Sequence, residues 1–231
     1  AKLTTLNIVG DNAVSVGANG ATTTLLGTID ASTSSGGVTI AGNVDLTSTA
    51  NVTLGTAADT LTLDILTESN VVVNAGEHAT TDTGVNDTLA LAGANNQGLT
   101  VVDLSSTTDQ VTQINGAVNS AAITNFENIT LSGLTGSQTA SVTGSDEANV
   151  IIGTANADTI LGGKGADTIT MGDGVDTVLG GAGNDQLSMT DNATIVDADF
   201  TNITSVEEIL GAGTLNITLG ALAQAAGVTT L

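Results

Sequence analysis

The sequence predicts an all-β protein, wound as a right-handed parallel β-solenoid of short strands, and three observations carry that prediction. The first is residue usage: 29 Gly and no Pro, with abundant Thr, Asn, Ser and Val, suit strands joined by tight turns and suit long helices poorly. The second is the core material. Hydrophobic residues make up 40% of the 231 residues but aromatic residues only 1%, so the interior must be thin, repeated layers of Val, Ile, Leu and Ala. The third is a period. From Gly144 the chain divides into blocks of nine, GSDEANVII, GTANADTIL, GGKGADTIT, MGDGVDTVL, GGAGNDQLS and a degenerate MTDNATIVD, and such self-similarity marks a repeat architecture.

Within the blocks, the sixth places hold Asn149, Asp158, Asp167, Asp176, Asp185 and Thr194, and the eighth places Ile151, Ile160, Ile169, Val178, Leu187 and Val196. If six residues turn and three form a strand, alternation points the eighth-place residue inward. Two blocks then make one coil and residues eighteen apart stack. Asp158 falls over Asp176 on one edge; Asn149, Asp167 and Asp185 fall on the other. Carboxylates about one strand spacing apart, ~4.8 Å, repel unless a cation lies between them. Calcium suits this position, because it takes many oxygen ligands in flexible geometry and a Gly-rich turn can bend its carbonyls around the ion. Met171 and Met189, also eighteen apart, stack in a packing role.

Outside residues 144–197 short alternating strands keep returning: TLNIVG, AVSVG, GVTIAG, NVDLTS, NVTLG, DTLTLDIL, NVVVNAG, DTLALAG and NITLSG. Their spacing, with Gly, Asn or Thr between, fits irregular solenoid coils better than a Greek-key sandwich. The expected organisation is an irregular solenoid over 1–143, a calcium-binding roll over 144–197 and a continuing solenoid over 198–231. Near-copies of the acidic corner appear at Asp59, in GTAADTLTL, and at Asp87, in DTGVNDTLAL. Each reads as an isolated calcium site or as a solvated turn, and neither has a matching corner eighteen residues away. ITNFENITLSG from Ile123 and ITSVEEILGAG from Ile203 resemble one another across eighty residues and suggest a larger repeated module. Phe126 and Phe200, in NFENI and DFTNI, are expected to plug core layers. The opening AKLTTLNIVG and the closing ALAQAAGVTTL, with its short Ala-rich helical segment, read as cuts through a longer protein.

A formal charge of -22, from 24 acidic residues against 2 basic ones, makes the chain self-repelling without bound cations and excludes a phosphate-binding surface. The absence of Cys removes disulfides and thiolate metal sites. No apolar run has the length of a membrane span, and no signal-peptide layout opens the chain. Catalysis finds few residues. His78, the sole His, sits with Glu77 in the polar stretch NAGEHATTDTG without a second ligand or nucleophile nearby. HExxH, GxSxG and GxxxxGK are missing, and Glu207 and Glu208 read as an exposed turn edge. No enzyme is expected.

GGKGADTIT and GGAGNDQLS resemble the RTX calcium-binding nonapeptide, GGxGxDxUx with U a large aliphatic residue. Gly162, Gly163, Gly165, Asp167 and Ile169 match every specified place, as do Gly180, Gly181, Gly183, Asp185 and Leu187. The flanking blocks depart from it: Met171 replaces the first Gly, Ala155 and Asn156 loosen GTANAD, and Asn149 replaces Asp. The resemblance implies a parallel β-roll in which calcium lies between turns on the same edge. Its implied ligands are the Asp side chains and the carbonyls of first and third places, here Gly153, Ala155, Gly162, Lys164, Met171, Asp173, Gly180 and Ala182. Asp167 with Asp185 ranks first, Asp158 with Asp176 second, and Asn149 with Asp167 third. The competing reading makes these corners Asx-type turns without metal.

LTTLNIVGDN and FENITLSG further resemble phrases of bacterial surface-layer proteins that carry RTX blocks. That family implies type I export, calcium-dependent self-assembly at the cell surface, the chain itself as partner, and attachment to cell-surface polysaccharide through other parts of the full protein. The scarcity of Lys and Arg and the lack of a long apolar run, rather than the resemblance, argue against nucleic acid and membrane insertion as partners. A stalk or binding module of a secreted RTX adhesin, or the noncatalytic tail of a secreted hydrolase, are the alternatives.

Overall fold

The computed structural model describes residues 3–17, 26–41, 44, 46–64, 70–76, 86–96, 98–172, 174–189, 194–211 and 216–230. Each strand of the long wall pairs in parallel with the strand one coil away rather than with its sequence neighbour, which makes the chain a parallel solenoid. Among the described residues this wall has nine strands: Val14–Val16, Val38–Ile40, Thr60–Asp64, Thr88–Asn96, Asn128–Gly136, Val150–Ile152, Thr168–Thr170, Gln186–Met189 and Glu208–Gly211. A five-stranded parallel sheet, Thr5–Gly10, Leu26–Ser34, Leu46–Thr53, Val72–Asn74 and Ala122–Thr124, serves the first half. The second half uses Leu99–Asp103, Thr139–Thr143, Thr159–Lys164, Thr177–Ala182 and Ile203–Thr204. Buried side chains from all three sheets form one apolar core.

The core is organised in columns because parallel register places like residues over one another. On the long wall Ile40, Leu61, Leu89, Ile129, Ile151, Ile169, Leu187 and Ile209 are successive register partners, and all are buried. Val102, Val142, Ile160, Val178 and Ile203 form the facing column in the second half. The eighth-place residues of the repeat are thus five members of columns that run well beyond it. Sequence separation per coil is 18 inside the repeat but 22, 28 and 40 outside it.

The structure corrects three expectations. Three-residue strands occur on the long wall, but Thr159–Lys164 and Thr177–Ala182 run six residues into the following block, with Gly163 opposite Gly181 and Lys164 opposite Ala182. Coils approach closely there: a Cβ at Gly162 would overlap the Gly180 carbonyl oxygen. Val196 is not inward-facing; Thr194–Val196 joins none of these sheets and pairs with Asn216–Thr218, and Val196 is 41% exposed. Winding is not parallel throughout either. Val111–Ile114 pairs antiparallel with Leu99–Asp103 and with Ala117–Val118. Asn115 and Gly116, at φ 54° and 76°, supply the two left-handed residues of a tight hairpin turn.

Phe126 and Phe200 are buried, and Met171 and Met189 pack half-buried against the core. The buried Gln110 accepts the Phe126 N–H at 2.9 Å and donates to the Leu104 and Phe126 carbonyls at 2.9 and 2.8 Å, which satisfies that corner. A short helix, Ala221–Ala226, follows the last coil. Its first N–H groups converge on Asp197 Oδ1, and they hold that carboxyl below its ordinary range. Among the described residues no helix is long and apolar enough to cross a membrane.

Candidate metal centre

Two residues before the buried rungs of the long wall from Leu61 to Ile209 stands a second column, acidic except for Asn149 and hydrogen-bonded coil to coil. Val38 N–H donates to Asp59 Oδ1 at 2.6 Å, Asp59 N–H to Asp87 Oδ1 at 2.6 Å, and Asp87 N–H to Glu127 Oε2 at 2.7 Å. Asn149 N–H donates to Asp167 Oδ1 at 2.8 Å, Asp167 N–H to Asp185 Oδ1 at 2.9 Å, and Asp185 N–H to Glu207 Oε2 at 2.8 Å. Asn149 Nδ2 closes the gap by donating to the Glu127 carbonyl at 2.6 Å. The opposite edge repeats the device: Ala140 N–H donates to Asp158 Oδ1 at 2.6 Å and Asp158 N–H to Asp176 Oδ1 at 2.8 Å. One carboxylate oxygen therefore caps the neighbouring coil, and the second decides what else the corner can do.

That second oxygen divides the corners. Asp59 Oδ2 accepts the Gly55 N–H at 2.9 Å. Asp158 Oδ2 accepts the Thr154 N–H at 2.7 Å while the Thr154 hydroxyl donates to Oδ1 at 2.8 Å. Asn149 Oδ1 takes the Ser145 N–H at 2.7 Å and the Ser145 hydroxyl at 3.2 Å. By contrast, Asp167 Oδ2 and Asp185 Oδ2 are buried without any hydrogen-bond partner. The difference follows the second place of each block. Thr154, and Gly55 at the equivalent place four residues before Asp59, put a backbone N–H on the second oxygen, whereas Gly163 and Gly181 stand at φ 112° and 119°, the left-handed region that favours Gly, and give it no donor.

First-place carbonyls lie at these corners. A Cβ built on Gly162 would overlap both Asp167 Oδ2 and the Gly180 oxygen, and one on Gly153 would stand 2.5 Å from both Asp158 Oδ2 and the Met171 oxygen. Third-place Ala155 is exposed on its turn and Lys164 and Ala182 are exposed at the ends of their strands, and Asp173 and His78 lie outside the described residues. Lys164 Nζ meets Asp146 Oδ2 of the preceding coil at 2.5 Å. Among the described residues no three His, Cys, Asp or Glu side chains converge, so a hard cation here must draw on main-chain oxygens. An unpartnered buried carboxylate oxygen beside a carbonyl is the donor chemistry calcium takes, and Asp167 and Asp185 fit it.

Electrostatics agree. Burial pushes the Asp167 carboxyl up to about 6; the Asn149 N–H opposes this and the Asp185 charge adds to it. Asp158 and Asp185 are raised by burial as well. Asp87 is driven up to about 8, by burial first and further by the charges of Asp59 and Glu127. Without a cation the column resists ionisation.

The model of the RTX calcium-binding nonapeptide repeat, four copies long, matches residues 143–178 and again 152–187. The chain carries RTX calcium-binding repeats. No curated protein and no solved structure matches the chain. RTX repeat proteins are typically secreted and extracellular.

Sequence reasoning missed the two Glu rungs. Glu207 is half-buried and holds the Asp185 N–H, so it is no exposed turn edge, and Glu127 does the same for Asp87. The resemblance of ITNFENI to ITSVEEI was the available signal. In both, a left-handed residue, Asn125 at φ 66° or Ser205 at φ 52°, turns the chain, a buried Phe126 or Val206 plugs the corner, and Glu enters the column. Asp59 and Asp87, which the sequence separates from the RTX block and from each other, stand in that same column.

Proposed function

We propose that this chain is a structural segment of a calcium-dependent bacterial surface layer, in which calcium acts as a folding ligand and copies of the protein assemble outside the cell. The supporting observation is the pair of buried, unpartnered oxygens of Asp167 and Asp185 within a stack of acids. Metal-free, ionising the buried stack costs the fold stability; a divalent ion neutralises it and closes the turns, so binding and folding are linked. In the low-calcium cytoplasm the roll stays open for type I export, and at the roughly millimolar calcium to which extracellular modules are commonly tuned it folds. Anchorage to cell-surface polysaccharide belongs to other parts of the full protein. The reading assigns the chain no catalysis.

Circular dichroism of the chain with calcium and with chelator tests the folding step; an unchanged β signal argues against it. Electron microscopy with calcium tests the assembly. Sheets support a surface layer, and separate extended rods support the stalk of an RTX adhesin instead.

A further inference from the structure

We infer that a further calcium site lies one coil beyond the RTX block, between Asp185 and the corner Ser205–Val206–Glu207. It rests on the calcium reading of the Asp167 corner and extends it to Ser205 and Glu207, outside the matched stretches, which end at 178 and 187.

Register makes the two corners equivalent. Leu161 pairs with Leu179, which stacks Gly162 on Gly180; Leu179 pairs with Thr204, which stacks Gly180 on Ser205. On the long wall Thr168 pairs with Gln186, and Gln186 with Glu208, which stacks Asp167 on Asp185 and Asp185 on Glu207. At the Gly162 position the Gly180 carbonyl oxygen and Asp167 Oδ2 converge; at the Gly180 position the Ser205 carbonyl oxygen and Asp185 Oδ2 converge. The second space therefore has the same parts in the same places, with Ser205 in the role of the first-place Gly and Glu207 in the role of the next Asp. Asp185 is 0% exposed, and its Oδ2 is aimed into this space without a partner.

The departures in the last coil offset one another. A repeat coil spends five residues from Gly180 to Asp185, whereas this corner spends two from Ser205 to Glu207. The left-handed Ser205 makes the tight turn, and the longer Glu side chain still reaches the Asp185 N–H at 2.8 Å. Two carboxylates and a carbonyl form an all-oxygen set, which suits calcium rather than a softer metal. The ion would tie the last RTX turn to the coil that follows.

The test is calorimetric titration of the chelator-stripped chain with calcium chloride, with circular dichroism at saturating calcium. Glu207→Gln keeps an acceptor for the Asp185 N–H and removes the charge. One ion fewer than in the wild type is expected, with Glu208→Gln as the control that loses none. Glu207→Asp keeps the charge and shortens the reach, so it should bind that ion at least tenfold more weakly. If both Glu207 variants bind calcium as the wild type does while Asp167→Asn loses an ion, this site is overturned and the Asp167 reading stands. If Asp167→Asn loses nothing, the Asp167 reading fails and takes this inference with it.

Discussion

The corners at Asp158 and Asp167 are one block apart and built on the same plan, yet they end in different chemical states. Asp158 has a donor on each oxygen, two of them from Thr154; Asp167 has one oxygen capped and one left bare. A backbone N–H in the second place completes the corner from within, as Thr154 does here and Gly55 does at Asp59; the left-handed Gly163 leaves it to be completed by something else. A buried polar atom without a partner costs about 1–3 kcal/mol, so the bare oxygens weaken the metal-free protein at the places where a cation restores it.

The most severe break of that contrast is Asp167→Asn with Asp185→Asn. Calcium-dependent stabilisation of the roll should vanish, a loss of about 2.7 kcal/mol per site at a calcium concentration of ~100 Kd, read as a melting temperature that no longer responds to calcium. A double variant that still gains stability with calcium would remove these residues from the site. Next in size, Gly163→Ala forces a Cβ onto a backbone at φ 112° and against the Ser145 carbonyl. The cost should exceed ~1 kcal/mol, seen in chemical denaturation with and without calcium alike.

Thr154→Gly removes the hydroxyl and lets this place adopt the left-handed backbone of Gly163, which should convert the closed corner into an open one. The expected result is about 1 kcal/mol less stability without calcium, from the lost hydroxyl bond, and one additional ion at the Asp158 edge in calorimetry. An unchanged ion count would mean that the backbone N–H at this place still closes it.

How much of this was legible in the sequence differs by residue. The nine-residue spacing placed Asp167 over Asp185 and Asp158 over Asp176, because inside the block coil length equals two periods. Glu127 and Glu207 were not legible, because they meet Asp87 and Asp185 across 40 and 22 residues. Lengthening a coil costs little, as loop-closure entropy grows slowly with length, so spacing alone cannot set the register there. The Asn115–Gly116 hairpin carried a known turn signal, but regular strand spacing on either side masked it.

Acidity offers a milder probe of the same contrast. Asp167 and Asp87 have folded-state values of about 6 and about 8, above the unfolded carboxylate range. Between about pH 4 and those values the folded metal-free chain holds more protons than the unfolded one, so its stability must fall as pH rises through this window. Thermal melts in chelator should be highest near the acid end and decline toward pH 8, and calcium should recover more at pH 8 than at pH 5. A metal-free melt that rises with pH would contradict the buried placement of these acids. The smallest effect is expected from Lys164→Ala. Its pair with Asp146 joins side chains 65% and 75% exposed, and its loss should cost less than ~0.5 kcal/mol and leave calcium binding unchanged.

The sequence by itself determined the β class, the repeat period, the inward aliphatic column and the calcium chemistry of GGxGxD turns, because each is a local or strictly periodic property. Only the tertiary structure decided that the acidic column runs from Asp59 to Glu207, since that continuity depends on which strands pair across coils of unequal length. It alone also separated bare from satisfied carboxylates, because a hydrogen bond from Thr154 or its absence at Gly163 is a matter of where atoms meet.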